Sequence, residues 1–258
     1  MMKINSLFVT PIIIKEPKLR LFCFPFAGGS INTYLPWKDH FKTEIELVLV
    51  QSPGRGARIQ EPPFTNMNDL VGELLEESEY FTRSPYMIFG HSLGARIGYE
   101  LIRQLEKARE RLPLHYIASA SPSPHLLKTV DRISDKSDED FIKAIDGFNG
   151  TPKEVIENQD LMKILLPLLR ADFGIAENYR SDNVGLLCPI TVFHGAEDRG
   201  IEQDAIQAWR ALSRNSITFE EIPGGHFFIN EHRETVIQSV LKIGRSLIKE
   251  SQPITELS

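Results

Sequence analysis

Between Tyr86 and Ala95 the chain passes from a short apolar run, Tyr86-Met87-Ile88-Phe89, through Gly90-His91-Ser92-Leu93-Gly94 into a segment compatible with helix. A strand that ends in a sharp turn and feeds a helix leaves few architectures open. The two glycines of Gly-x-Ser-x-Gly relieve crowding where the serine backbone is strained, and the serine oxygen is left exposed at the helix start. The five-residue pattern alone is a weak signal. Its flanks make Ser92 a candidate nucleophile.

The rest of the chain repeats the strand-then-helix rhythm. Apolar runs of strand length recur at Leu19–Phe24, Ile45–Val50, Tyr86–Phe89, Tyr116–Ala118, Ile190–Phe193 and Ile217–Ile222. Most are continuous rather than alternating, which fits strands buried on both faces of a parallel sheet. Between them, helical spacing is found at Asn32–Phe41, Asp69–Phe81, Leu93–Ala108, Gln203–Leu212 and Glu231–Lys249. Alternation of this kind predicts a doubly wound α/β fold, a mostly parallel sheet covered by helices on both faces. With 258 residues the chain fits one such domain.

One stretch breaks the alternation, from about 121 to 186. Ser137-x-x-Asp140 and Thr151-Pro152-x-Glu154 read as helix starts, and Leu161, Ile164, Leu165, Leu168 and Leu169 share one helical face. This segment reads as a helical lid inserted into the domain, its apolar face packed on the mouth of the main body; an ordinary extra helical layer is the alternative. The tail, Glu250 to Ser258, reads as frayed.

Composition narrows the function classes. Apolar residues make up 41% and charged residues 25%, values of a soluble globular protein, and a net charge of −6 argues against nucleic acid or anionic membrane as partner. No apolar stretch approaches the ~18 residues of a membrane span. Near the amino terminus Pro11 interrupts an apolar run and Lys15-Glu16 follow without a small-residue cleavage site, so no signal peptide is read and a cytoplasmic location is expected. Cys23 and Cys188 read as two reduced core thiols.

A serine hydroxyl needs a base within hydrogen-bond reach and an acid to orient that base. The run Ile190–Phe193 is followed by His194-Gly195-Ala196-Glu197-Asp198, where Asp198 is the first choice for the acid and Glu197 the second. After the last strand, Pro223-Gly224-Gly225-His226 places a histidine on a glycine loop, so His226 is the predicted base. The remaining six histidines read as surface or core residues; His91, beside the nucleophile, should point away from the site. The order Ser, Asp, His is that of the α/β-hydrolases. For the oxyanion of a tetrahedral intermediate, the Leu93 amide at a helix amino terminus supplies one donor. The loop Phe24-Pro25-Phe26-Ala27-Gly28-Gly29-Ser30 offers a second at Ala27, with Phe26 as alternative. Read as a phosphate loop, it lacks the Lys-Ser/Thr of a nucleotide site. No metal site and no bound cofactor are read from the chain.

Phe24-Pro25-Phe26-Ala27-Gly28-Gly29-Ser30, Ser52-Pro53-Gly54-Arg55-Gly56, Gly90-His91-Ser92-Leu93-Gly94-Ala95, Gly195-x-x-Asp198 and Gly224-Gly225-His226-Phe227 together resemble the type II thioesterases of nonribosomal peptide and polyketide synthesis, from about residue 19 to 248. Ser52 stands where that family usually has proline, and Leu93 where it often has methionine; neither change touches a catalytic group. The resemblance implies an α/β-hydrolase fold and a free-standing enzyme that removes wrong or stalled acyl groups from the phosphopantetheine arm of acyl or peptidyl carrier proteins. The substrate then brings its own prosthetic group. A monomer is expected, with Arg55, Arg58, Lys128 and Arg132 as candidates for meeting an acidic carrier helix. Competing readings are a product-release thioesterase, normally the end of a longer chain whereas this one begins at Met1; a generic carboxylesterase or lipase; and a binding protein on a hydrolase scaffold. That last reading would require a lost triad member, and all three are present.

Overall fold

The computed structural model describes residues 3–4, 7–126, 132–148 and 150–251. Strands β1 (Lys3–Ile4), β2 (Phe8–Thr10), β3 (Leu19–Phe24), β4 (Ile45–Val50), β5 (Tyr86–His91), β6 (His115–Ser119), β7 (Ile190–Gly195) and β8 (Ile217–Ile222) form one sheet in the order β1-β2-β4-β3-β5-β6-β7-β8. Pairing is parallel from β4 through β8, whereas β1 and β2 run antiparallel along the outer side of β4. The expected parallel sheet is thus present, with an antiparallel edge from the first ten residues that sequence spacing did not indicate.

Continuous apolar runs acquire their reason here. Successive side chains of a strand face opposite sides, and in β3 Phe22 and Phe24 enter one core while Leu19, Leu21 and Cys23 enter the other. β5 divides likewise, with Tyr86 and Ile88 on one side and Met87 and Phe89 on the other. Helices α1 (Met67–Glu76), α2 (Ser78–Thr82) and α3 (Leu93–Lys107) cover the first face. Cys188 lies in that layer and Cys23 in the opposite one, both buried and free. Arg20 interrupts the β3 run yet is buried; its Nε donates to Glu46 Oε2 at 3.0 Å, from the residue directly opposite on β4.

Between β6 and β7 lie α4 (Asp138–Gly147), α5 (Lys153–Ile156) and α6 (Gln159–Asn178). Ser137 caps α4 as expected, accepting from the Asp140 amide at 3.2 Å. Thr151 does not cap α5, which starts after Pro152 without a side-chain bond. The expected apolar face of α6 is buried only over its second part: Leu168 and Leu169 are covered, but Leu161 and Ile164 are 43% and 60% exposed.

Further on come α7 (Gln203–Gln207), α8 (Phe228–Glu231) and α9 (Arg233–Glu250), of which α8 and α9 pack on the second face of the sheet. Three expected helices are shorter or broken. Asn32–Phe41 forms two short 3-10 turns, because Pro36 has no amide to donate and Tyr34 is tied down by its hydroxyl bond to Phe24 O at 2.8 Å. The stretch from Asp69 breaks at Glu77 between α1 and α2, and the stretch from Gln203 tightens to 3-10 after Gln207. Residues 252–258 of the tail lie outside the described residues, while Glu250 closes α9.

His115 opens β6 with its Nε2 2.8 Å from Thr191 Oγ1, which in turn meets Thr218 Oγ1 at 2.9 Å. Burial pulls its imidazole down from 6.5 to about 4. The unfolded chain takes up that proton near 6.5 and the folded one does not, so folded stability falls as pH drops through this window. Urea midpoints measured from pH 7 to about pH 4 should therefore decline less steeply in His115→Gln than in the parent chain. Equal slopes would remove His115 from this role.

Candidate active site

β5 ends at the sheet centre, between β3 and β6, and the chain must reverse into α3 within two residues. Ser92 makes that reversal at φ 55° and ψ −113°. The crossing is so close that a Cβ on Gly90 would overlap the Gly94 carbonyl, and one on Gly94 would overlap the Phe24 carbonyl. Hence the spacing of the two glycines. The Ser92 amide donates to Ser119 O at 2.8 Å, and its carbonyl accepts from the Ala95 amide at 3.0 Å, which locks the turn from both sides.

The loops after β7 and β8 bring the other two predicted residues to this point. Ser92 Oγ lies 3.1 Å from His226 Nε2, and His226 Nδ1 lies 2.7 Å from Asp198 Oδ2. The carboxylate can only accept, so Nδ1 carries the proton and Nε2 presents its lone pair to the serine hydroxyl. Asp198 is itself held through its Oδ1, which accepts from the Gly200 amide at 3.0 Å. Its side chain is 5% exposed. Glu197, the second choice for the acid, points to solvent instead. The amides of Leu93 and Ala27 have no acceptor among the described residues. A hydroxyl, an imidazole and a carboxylate bonded in series can support acyl transfer through a serine ester.

Residues 19–243 match the thioesterase domain family. The chain belongs to that family. It is 35% identical over 241 residues to the gramicidin S biosynthesis protein GrsT of Aneurinibacillus migulanus, covering 93% of this chain and 94% of that protein. Among solved structures, the type II thioesterase BorB from the borrelidin biosynthetic cluster superposes with a TM-score of 0.84 at 28% identity, covering 92% of this chain and 97% of that one. ClbQ from the colibactin NRPS/PKS pathway does so with a TM-score of 0.83 at 30% identity, covering 89% and 98%. The mostly parallel sheet and these likenesses make the fold that of the α/β-hydrolases.

In the thioesterase the helices between β6 and β7 abut the site loops. Leu169 of α6 lies where a Cβ on Gly28 would stand, and the Phe227 ring lies where one on Gly150 would stand. α6 is also fastened to α3, through Arg96 on the Ala176 carbonyl and through Tyr179, whose hydroxyl donates to Glu100 Oε2 at 2.6 Å.

Two of the cations expected to meet a carrier do not face solvent. Arg55 is buried, its Nη2 2.8 Å from Asp172 Oδ1, and Arg58 is buried among Glu61, Glu73 and the Gln51 carbonyl. Arginine in a glycine-rich loop reads as surface until the carboxylates that pair with it are located in space. Arg132 is exposed, and Lys128 lies outside the described residues. Asp172, which the sequence reading passed over, had a visible signal: it is a charge in the stripe Leu168, Leu169, Asp172, Ile175 that α6 buries.

His91, expected to point away from the site, is tied to the loop that carries His226. It is fully buried, with Nε2 3.0 Å from the His226 carbonyl and Nδ1 2.9 Å from Ser119 Oγ. A carbonyl only accepts, so Nε2 is the protonated nitrogen and Ser119 donates to Nδ1. Burial, and then the nearby His226, hold its imidazole well below the ordinary histidine range. Nitrogen-15 imidazole spectra should show His91 neutral with the proton on Nε2 from about pH 7.5 to about pH 5.5, the interval in which an ordinary histidine titrates. A midpoint inside that interval would contradict the assignment.

Proposed function

We propose that the thioesterase hydrolyses acyl and aminoacyl thioesters held on the phosphopantetheine arms of carrier proteins, and so clears mis-primed or stalled groups from a peptide or polyketide synthase. The observation that carries this reading is the hydrogen-bonded line Ser92–His226–Asp198 in a chain of the thioesterase family. Ser92 Oγ attacks the thioester carbonyl as His226 Nε2 takes its proton. Asp198 stabilises the imidazolium, and the amides of Leu93 and Ala27 receive the oxyanion. Collapse breaks the carbon–sulfur bond, and His226 returns the proton to the departing thiolate. Water, deprotonated by His226, then attacks the acyl-serine and regenerates the hydroxyl. No cofactor of the enzyme's own enters either half.

A thiol leaves more readily than an alcohol because its pKa lies near 8.5. The enzyme therefore gains more from a thioester than from the matching oxygen ester. The segment from 121 to 186 acts as the lid, with the apolar stripe of α6 over the acyl chamber, a surface that accepts many chains rather than one. The likeness to GrsT of gramicidin S biosynthesis, to BorB of the borrelidin biosynthetic cluster and to ClbQ of the colibactin NRPS/PKS pathway supports a synthase context.

Ser92→Ala should lower hydrolysis of an acyl-carrier substrate by at least about a thousandfold with an unchanged melting temperature. Retained turnover would end the assignment. Acyl-phosphopantetheine on a carrier protein should be cleaved with a kcat/KM at least about tenfold above that of a simple oxygen ester of the same acyl group. Equal constants would favour a general esterase.

A further inference from the structure

The loop that offers the Ala27 amide is held by charges the mechanism above does not use. Phe26 O accepts from the Gly29 amide at 2.8 Å, closing a four-residue turn with Ala27 and Gly28 at its centre and Gly28 at φ 74°. Two turn groups are then taken up from outside. The Gly28 amide donates to Asp172 Oδ2 at 2.7 Å, and the Gly29 carbonyl accepts from Arg55 Nη1 at 2.8 Å. Arg55 Nη2 reaches Asp172 Oδ1 at 2.8 Å, so one guanidinium and one carboxylate join the loop after β3, the loop after β4 and helix α6. Both side chains are more than nine-tenths buried, at 7% and 3% exposed.

We infer that Arg55 and Asp172 are positioning residues for the oxyanion loop, and that through them α6 and the loop move as one body. This rests on the assignment of Ala27 as an oxyanion donor. Asp172 consumes the second central amide of the turn and leaves the first, Ala27, as the donor free to meet substrate. Arg55 fixes the next carbonyl and neutralises a carboxylate that, unpaired beside the loop, would oppose the negative charge forming on the substrate oxygen. Neither side chain touches the reacting atoms. Their effect is on the direction of the Ala27 N–H and on the local field.

A positioning role separates from a merely structural one in kcat, in the affinity for a tetrahedral analogue and in a charge-free double variant. Asp172→Asn and Asp172→Ala should lower kcat for p-nitrophenyl acetate by about 10- to 100-fold with KM within about threefold, the scale of a displaced oxyanion donor. Their affinity for an alkylboronic acid, which forms a tetrahedral adduct on Ser92, should fall by a similar factor. Arg55→Met/Asp172→Leu leaves no charge buried alone and should melt near the parent temperature, yet its kcat should stay depressed because Gly28 and Gly29 have lost their partners. A double variant with parental kcat would overturn the inference, as would single variants that lose kcat but bind the boronic acid normally. Wild-type enzyme that spares acyl-carrier substrates while the variants show these losses on p-nitrophenyl acetate would fail the substrate assignment and leave this one standing.

Discussion

The strained backbone of Ser92 is the point from which the other features of the site follow. A non-glycine residue at φ 55° with ψ −113° costs on the order of 1–3 kcal/mol and persists only where its surroundings over-determine it. Here they do. The turn sits on the central strand of a sheet whose two faces are both buried, the adjacent glycines permit backbone contacts no side chain would allow, and β6 supplies the carbonyl that receives the Ser92 amide. Tyr116, also on β6, adds its hydroxyl on the Ala95 carbonyl in the first turn of α3. The parallel order then does the rest, since loops following β3, β4, β5, β7 and β8 leave the same edge of the sheet and converge there.

Several buried polar groups stand near that edge and bond one another. His91 links Ser119 to the carbonyl of His226, so His226 is held by the central strands as well as by its own loop. Because that imidazole stays neutral, it adds no positive charge beside His226 and does not oppose formation of an imidazolium there. Arg55 and Asp172 are charged, but each answers the other.

Much of this was legible in the sequence, for a physical reason: Ser92, Asp198 and His226 each follow a strand end, and strands buried on both faces announce themselves as unbroken apolar runs. The same logic failed at Asn32–Phe41, where tertiary anchoring of Tyr34 and the missing amide of Pro36 outweighed helical spacing. It failed again at β1 and β2, which are too short to carry a periodic signal and exist only by pairing with β4. Arg55 and Arg58 were misplaced on the surface because their partners, Asp172 and Glu73, are distant in sequence or on another element. Leu161 and Ile164 share a helical face with buried leucines yet remain exposed, since a stripe shows which side of a helix is apolar and not how far its neighbour extends along it.

The contact between Leu169 and Gly28 has an evolutionary side. Leu169 of α6 rests directly on the turn centred on Ala27 and Gly28, so a larger or differently shaped residue at that position also pushes on the backbone of the turn. Sequence change at this part of α6 is thereby coupled to the shape of that turn. The first turns of α6, with Leu161 and Ile164 exposed, are free of that constraint, and sequence variation should accumulate there first.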